Sequence, residues 1–457
     1  MNIQRLAQWL QLDRSLSYAL LARIWQAISG PITIALQISV FDSHQIGVFI
    51  GILYVVGIQP LFDLGLANVL IGQAGNLVGR QRASQDSSLP SDVLSLHWLA
   101  RGGVRWFSAV ACAYAVGGLV VGWNVLGKHG ISQIDWRVPL ALTVAISALS
   151  MAILPRVYVL EGAGLRDYVY RMRFWQAVLG SLTMWSALWF GFQLWAIVAV
   201  FFVGVVFHAS IAFGSRARRL LARPHAIQPS GAGAARSDTL ASMRQTSWLA
   251  HIGPLQWRVA AISAAHYLAS QLLFLYVLNY HRAEQAAPLG LTLSVAVAVQ
   301  SLAIAWAQTK FPLIARAQTD EGREAAGTLW RQTALVSTGM LVLGILGVAM
   351  AIAGLGWFGR GWEKSFVSPP LVLLLGLGYV ANHWLALQSY YVLSLGAKPL
   401  VIASLIGLLF TAAAVWWGGK EYSVPGVIFG YTLAMTCVTL PVHTWAYLKF
   451  RSRIQPT

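Results

Sequence analysis

The sequence predicts an all-α polytopic membrane protein of about twelve transmembrane helices in two halves of about six each. Three observations carry that prediction. The chain is 57% apolar and only 10% charged, with a mean hydropathy of +0.63. Apolar runs of spanning length recur along its 457 residues, leaving no room for a separate soluble domain. Near the middle lies one long polar connection, and the runs on either side of it open alike.

Taken in order, the runs cover about 16–40, 45–66, 103–126, 138–159, 174–191, 195–214, 254–279, 287–308, 333–357, 369–390, 399–418 and 425–447. An even number puts both termini on one side. Before the first run, MNIQRLAQWLQLDRS has no cleavable signal pattern and reads as an amphipathic lead. Pro60 predicts a kink in the second run. The stretch 215–251, rich in Arg, Gly, Ala and Ser, reads as a flexible linker between an N-terminal lobe, 1–214, and a C-terminal lobe, 252–457.

Charge placement sets the orientation. The chain has 32 Lys and Arg against 15 Asp and Glu. With the N-terminus inside, Arg80, Arg82, Arg156, Arg166, Arg171, Arg173, Arg216, Arg218, Arg219, Lys310 and Arg451 are cytoplasmic, while the opposite side keeps Lys128, Arg137, Arg282, Arg360, Lys364 and Lys420. The linker's arginines fit this bias and are not interleaved with aromatics, which argues against nucleic-acid binding. Cys112 and Cys437 lie in distant apolar runs, so neither a disulfide framework nor a metal centre is expected. The predicted outer loops are short, giving no platform for a polymerase or ligase, and no catalytic constellation or cofactor motif stands out.

The candidate site residues are charges within or beside apolar runs. Arg23 lies about 10 Å into the first span, where a guanidinium costs about 3 kcal/mol unless it snorkels or faces a wet cavity. Counting from Arg23, positions three, four, seven and eighteen on are Gln26, Ala27, Gly30 and Phe41. From Arg258 the same offsets give Ala261, Ile262, Ala265 and Tyr276, which points to a repeat. A planar guanidinium suits a pyrophosphate because its fork holds two oxygens and it keeps its proton. Gln256 and Trp257 beside Arg258 offer an amide and a stacking ring, or else an interfacial tryptophan. Asp63 sits at a depth comparable to Arg23 and is either its neutralising partner or one side of a gate. His266, two turns beyond Arg258, is the candidate for proton coupling. His208, His383 and His443 are expected as hydrogen-bonded packing residues, and Arg156 with Glu161 as a surface cluster.

A series of short stretches then supplies a family. Pro254-Leu255-Gln256-Trp257-Arg258, Gly290-Leu291-Thr292-Leu293-Ser294, Trp306 to Pro312, Phe62-Asp63-Leu64-Gly65-Leu66-Ala67-Asn68-Val69, Leu160-Glu161-Gly162 and Gly191 to Ala196 together resemble the Wzx-type flippases for lipid-linked oligosaccharides. Two positions depart from that pattern. His266 and Gln193 stand where small glycines are expected.

The resemblance implies the MOP superfamily, shared with MATE exporters: two lobes around a central cationic cavity that opens to one side at a time. It further implies inversion of an undecaprenyl-pyrophosphate-linked oligosaccharide across the bacterial inner membrane for O-antigen or exopolysaccharide assembly. A proton or sodium gradient, a polysaccharide polymerase and the synthesis machinery are the implied partners. Within that picture Arg23 and Arg258 engage the pyrophosphate, and Gln26 and Trp257 the glycan. The rivals are a MATE-like multidrug exporter, for which carboxylates rather than arginines are expected in the cavity, a membrane-embedded polymerase or ligase, and a non-transporting scaffold.

Overall fold

The computed structural model describes residues 14–63, 66–85, 96–127, 135–221, 248, most of 261–280, then 281–320, 323–358, 361–394 and 400–454. Among the described residues every regular element is helical. Seven helical stretches are long and apolar enough to cross a membrane by length and composition, and the chain is a multi-pass membrane protein, as its hydropathy predicts.

The elements run α1 (Arg14–Val40), α2 (Ser43–Val56), α3 (Gln59–Asp63), α4 (Leu66–Gln85), α5 (Leu96–Gly127), α6 (Arg137–Gly162), α7 (Arg166–Trp189), α8 (Trp195–Phe213) and α9 (Ser215–Leu221). After the partly described 261–280 come α10 (Ala283–Asp320), α11 (Arg323–Leu355), α12 (Pro369–Ser394), α13 (Val401–Leu433), a π segment (Ala434–Thr439) and α14 (Leu440–Ile454).

Local sequence explains several boundaries. Asp42 and Gln45 form a reciprocal capping box, the backbone N–H of Gln45 donating to Asp42 Oδ1 at 2.7 Å and that of Asp42 donating to Gln45 Oε1 at 3.1 Å, so α2 starts afresh after α1. The second apolar run is not one helix. It turns at Gly57, and Pro60 lies in the five-residue α3. The seven residues from Ser215 to Leu221, expected as the start of a flexible linker, are helical, because Ala217, Leu220 and Leu221 pack on Val157, Leu160, Val169 and Ile211. Most of the remaining linker lies outside the described residues. Trp248 is described and packs on Gly102 of α5, where a Cβ would overlap its indole.

The turn between α7 and α8 carries two left-handed residues, Gly191 (φ 76°) and Gln193 (φ 46°). Gln193 is the position at which the family resemblance leads one to expect glycine, and the backbone gives the reason. A side chain in this region costs about 1–2 kcal/mol through its Cβ. Gln193→Gly is expected to raise thermal stability by about 1 kcal/mol, read as a higher unfolding midpoint in detergent. An unchanged or lower midpoint removes the strain argument.

Packing divides the chain into two compact units, one on Met1–Gln26, Ile58–Val120 and Arg137–Ala260, the other on Ala27–Gly57, Val121–Trp136 and Ala261–Thr457. In the first, Tyr18 and Trp25 lie seven residues apart on one face of α1 and meet Phe174, Ser181 and Trp185 of α7. In the second, α2 lies against α10 with almost no side chain between them at Gly47, where a Cβ would strike the Ala283 carbonyl. Gly290 is closed over by Phe274 and Ile50, and Tyr54 stacks on Phe274 at 4.3 Å.

The last two apolar runs form a close antiparallel hairpin. The helical path of α13 is broken at Ser423 (φ 54°, ψ −136°), where the chain reverses. Small residues then face each other in register: Gly418 with Gly426, Ala414 with Gly430, and Gly407 with Thr439.

Candidate functional site

Arg23 lies on α1 away from the face that Tyr18 and Trp25 press onto α7, and its side chain is exposed. Its Nη1 donates to Gln26 Oε1 at 3.3 Å, one helical turn on. Two of the predicted substrate-binding residues are thus held together by the helix itself. The guanidinium is oriented by a neutral amide, so its positive charge is not cancelled by that contact. Asp63 ends α3; its backbone is described and its side chain is not. Trp257, Arg258 and His266 lie outside the described residues, and with them the predicted meeting of Arg23 and Arg258.

The sequence reading missed a second charged group in the first unit. Glu161, expected on the surface, is only 5% exposed, and its Oε2 lies 2.9 Å from Arg173 Nη2. The reason is helix length. Hydropathy ended one span at 159 and began the next at 174, whereas α6 continues to Gly162 and α7 already starts at Arg166. Both charges therefore sit on packed helices. Gly162 lets that end of α6 close on α4, since a Cβ there would meet the Ile71 carbonyl. Arg173 also stacks on Tyr170, 5.3 Å from the ring centroid, and acts electrostatically on His208. Glu161 Oε2 makes no well-directed hydrogen bond among the described residues, so the pair rests on charge more than on N–H alignment. The signal that could have found it was the pairing of one acid with an arginine twelve residues on, across a short turn.

The three described intramembrane histidines are hydrogen-bonded packing residues, as expected. His208 Nδ1 meets Ser150 Oγ at 2.6 Å. His443 Nδ1 meets Gln388 Oε1 at 2.8 Å, and Gln388 Nε2 donates to Thr444 at 2.9 Å. His383 Nε2 meets Ser337 Oγ at 2.9 Å, while Ser337 donates its one proton to the Ala303 carbonyl at 2.6 Å. Ser337 must then accept, which assigns the His383 proton to Nε2. Ser337→Ala is expected to cost about 1–3 kcal/mol, because it strands that N–H in a fully buried ring. Ser337→Cys, which keeps a weak acceptor, is expected to cost less; equal thermal midpoints for the two variants contradict the assignment.

The first unit also carries a groove of about 700 Å³ along α6, α7 and α8, lined by Ile146, Leu179, Phe190, Trp195 and Phe202 among others. Its lining includes no ionisable side chain, so its chemistry is that of a lipid-facing surface and not of an anion site.

Solved structures resemble this arrangement over nearly its whole length. The eukaryotic MATE transporter AtDTX14 superposes with a TM-score of 0.63 at 13% identity, covering 96% of this chain and 98% of that one. The fold is the one this transporter has. The lipid II flippase MurJ in an inward closed conformation matches at TM-score 0.50 and 11% identity, over 92% and 91% of the two chains. A MOP superfamily transporter from Pyrococcus furiosus, described as having a binding pocket of reverse polarity, matches at 0.51 and 12%, over 98% of each. No family model and no curated protein matches the chain by sequence. The predicted fold class is borne out; the Wzx-type assignment rests on the sequence resemblance.

Proposed function

We propose that this chain is a flippase that moves an undecaprenyl-pyrophosphate-linked oligosaccharide from the cytoplasmic to the periplasmic leaflet by alternating access, without bond chemistry. The observation that carries the reading is the exposed Arg23 on α1, whose guanidinium donates to the neutral Gln26 amide and, among the described residues, forms no ion pair with a carboxylate. A guanidinium presented in that way recognises a phosphate-bearing ligand and repels the cations an exporter with acidic residues would take. The lobes are 1–214 and 252–457, joined by 215–251, with both termini in the cytoplasm of a bacterial inner membrane. Arg258 and Trp257 form the matching half of the site, Asp63 and His266 gate it or couple it to a proton or sodium gradient, and a polysaccharide polymerase receives the product.

The test is complementation. Arg23→Ala and Arg258→Ala are expected to reach the membrane at normal levels yet restore less than about a tenth of surface polysaccharide in a flippase-null strain, and Arg258→Lys to fall between. Full restoration by either alanine variant excludes that arginine from the mechanism. The MATE-like exporter reading shares the fold; it predicts instead that expression raises resistance to cationic drugs and that the arginine variants keep that resistance.

A further inference from the structure

The end of the first unit where α6 stops, α7 starts and α8 passes into α9 carries more ordered positive charge than topology requires. Arg156 lies six residues before the end of α6, about 9 Å back along the helix, and its guanidinium covers the ring of Phe213, 4.5 Å from the centroid. Phe213, the last residue of α8, is 48% exposed. Arg156 therefore snorkels along a lipid-facing ring toward the membrane surface. One step away, the Tyr168 ring holds two guanidiniums, Arg216 at 4.8 Å and Arg171 at 5.9 Å from its centroid. The Tyr168 hydroxyl reaches the α8–α9 junction, 3.5 Å from where a Cβ on Gly214 would lie.

These charges are held in place by packing. The buried Ala217 and the apolar Leu220 and Leu221 seat α9 on the core below it, which turns Arg216, Arg218 and Arg219 outward. Among the described residues the ion pair at this end, Arg173 with Glu161, uses none of Arg156, Arg171 or Arg216. Two like charges on one ring repel each other unless an anion lies between them. A positive-inside bias needs only the number of charges, not guanidiniums stacked at set positions beside a lipid-exposed phenyl ring.

We propose that Arg156, Arg171 and Arg216 form a binding site for the phosphate headgroup of an anionic phospholipid, with Phe213 against its acyl chains and the Tyr168 hydroxyl at its rim. Basic pockets between helix ends at a membrane surface are suited to such headgroups. The lipid would tie α9 and the ends of α6, α7 and α8 to the leaflet and hold that end of the unit at the surface.

The experiment uses the full chain in nanodiscs of equal parts phosphatidylglycerol and phosphatidylcholine, with retained lipids counted by native mass spectrometry. The wild type is expected to retain phosphatidylglycerol over phosphatidylcholine. The triple variant Arg156→Gln, Arg171→Gln, Arg216→Gln is expected to bind it about a hundredfold more weakly, at about fivefold per guanidinium. A charge-matched variant, Arg166→Gln, Arg218→Gln, Arg219→Gln, is expected to keep the bound lipid. Equal loss in the two variants reduces the feature to a diffuse positive surface and overturns the site. If the glutamine variant does not fold, the triple lysine variant replaces it, with about tenfold weaker binding expected because the planar fork is lost; wild-type binding there overturns the site as well. Preferential displacement of phosphatidylglycerol by added undecaprenyl pyrophosphate assigns the site to the carrier lipid and defeats the proposal.

Discussion

Replacing Arg173 with methionine is expected to destabilise the first unit by about 3–5 kcal/mol, because it leaves the Glu161 carboxylate buried with no counterion. The pair is 2.9 Å apart, with the arginine side chain 32% exposed and the glutamate 4%. Most of the desolvation cost therefore falls on Glu161. Taking both charges away together should be far milder: Glu161→Gln with Arg173→Met removes the cost along with the attraction, so the double variant is expected to be more stable than Arg173→Met alone. Unfolding midpoints of the single and double variants in detergent, read as a double-mutant cycle, measure this. If Arg173→Met alone unfolds at the wild-type midpoint, the carboxylate is either protonated or paired elsewhere, and the ion pair has no structural weight. Recovery of the fold without recovery of transport in the double variant would instead give the pair a part in the conformational cycle.

The second large effect is expected at the α13 hairpin. A Cβ on Gly426 would occupy the space of the Gly418 carbonyl and one on Gly430 that of the Ala414 carbonyl, and backbone atoms cannot rotate aside as a side-chain tip can. Gly426→Val is expected to force the two limbs apart at a cost of about 2–3 kcal/mol or more, which lowers the unfolding midpoint by roughly 5–10 °C. Gly347→Ala, in α11 with nothing within 4 Å of the new methyl, is the contrast. It is expected to leave the midpoint unchanged or raise it, since alanine is the better helix former by about 1 kcal/mol. Equal midpoints for the two variants would show that the close approach is not what holds the hairpin.

The helices and their order were legible in the sequence because partition into a membrane is a property of runs of residues, and runs survive any arrangement of neighbours. The break near Pro60 and the need for partners at His208, His383 and His443 followed from backbone and hydrogen-bond chemistry that is equally local. The pairing of Arg23 with Gln26 is also local, since a spacing of three residues on a helix brings two side chains together wherever the helix goes.

What the tertiary structure alone decided is where charge and small residues count. Glu161 reads as a surface charge and Arg173 as a cytoplasmic one because hydropathy scores each residue against bulk lipid. A helix is continued by backbone hydrogen bonds, and neighbouring helices shield charges that would otherwise end a span. The glycines of α2, α10 and α13 look alike in a chain with 42 of them, and only the opposing backbone singles out Gly47, Gly418 and Gly426. The arginines Arg156, Arg171 and Arg216 differ from the other cytoplasmic charges only through the rings that folding placed under them. The sequence thus determined a basic, many-helix membrane protein with an arginine in its first apolar run. Packing decided which of the described charges are neutralised in pairs and which are held against rings instead, because that depends on distances between helices that no single stretch contains.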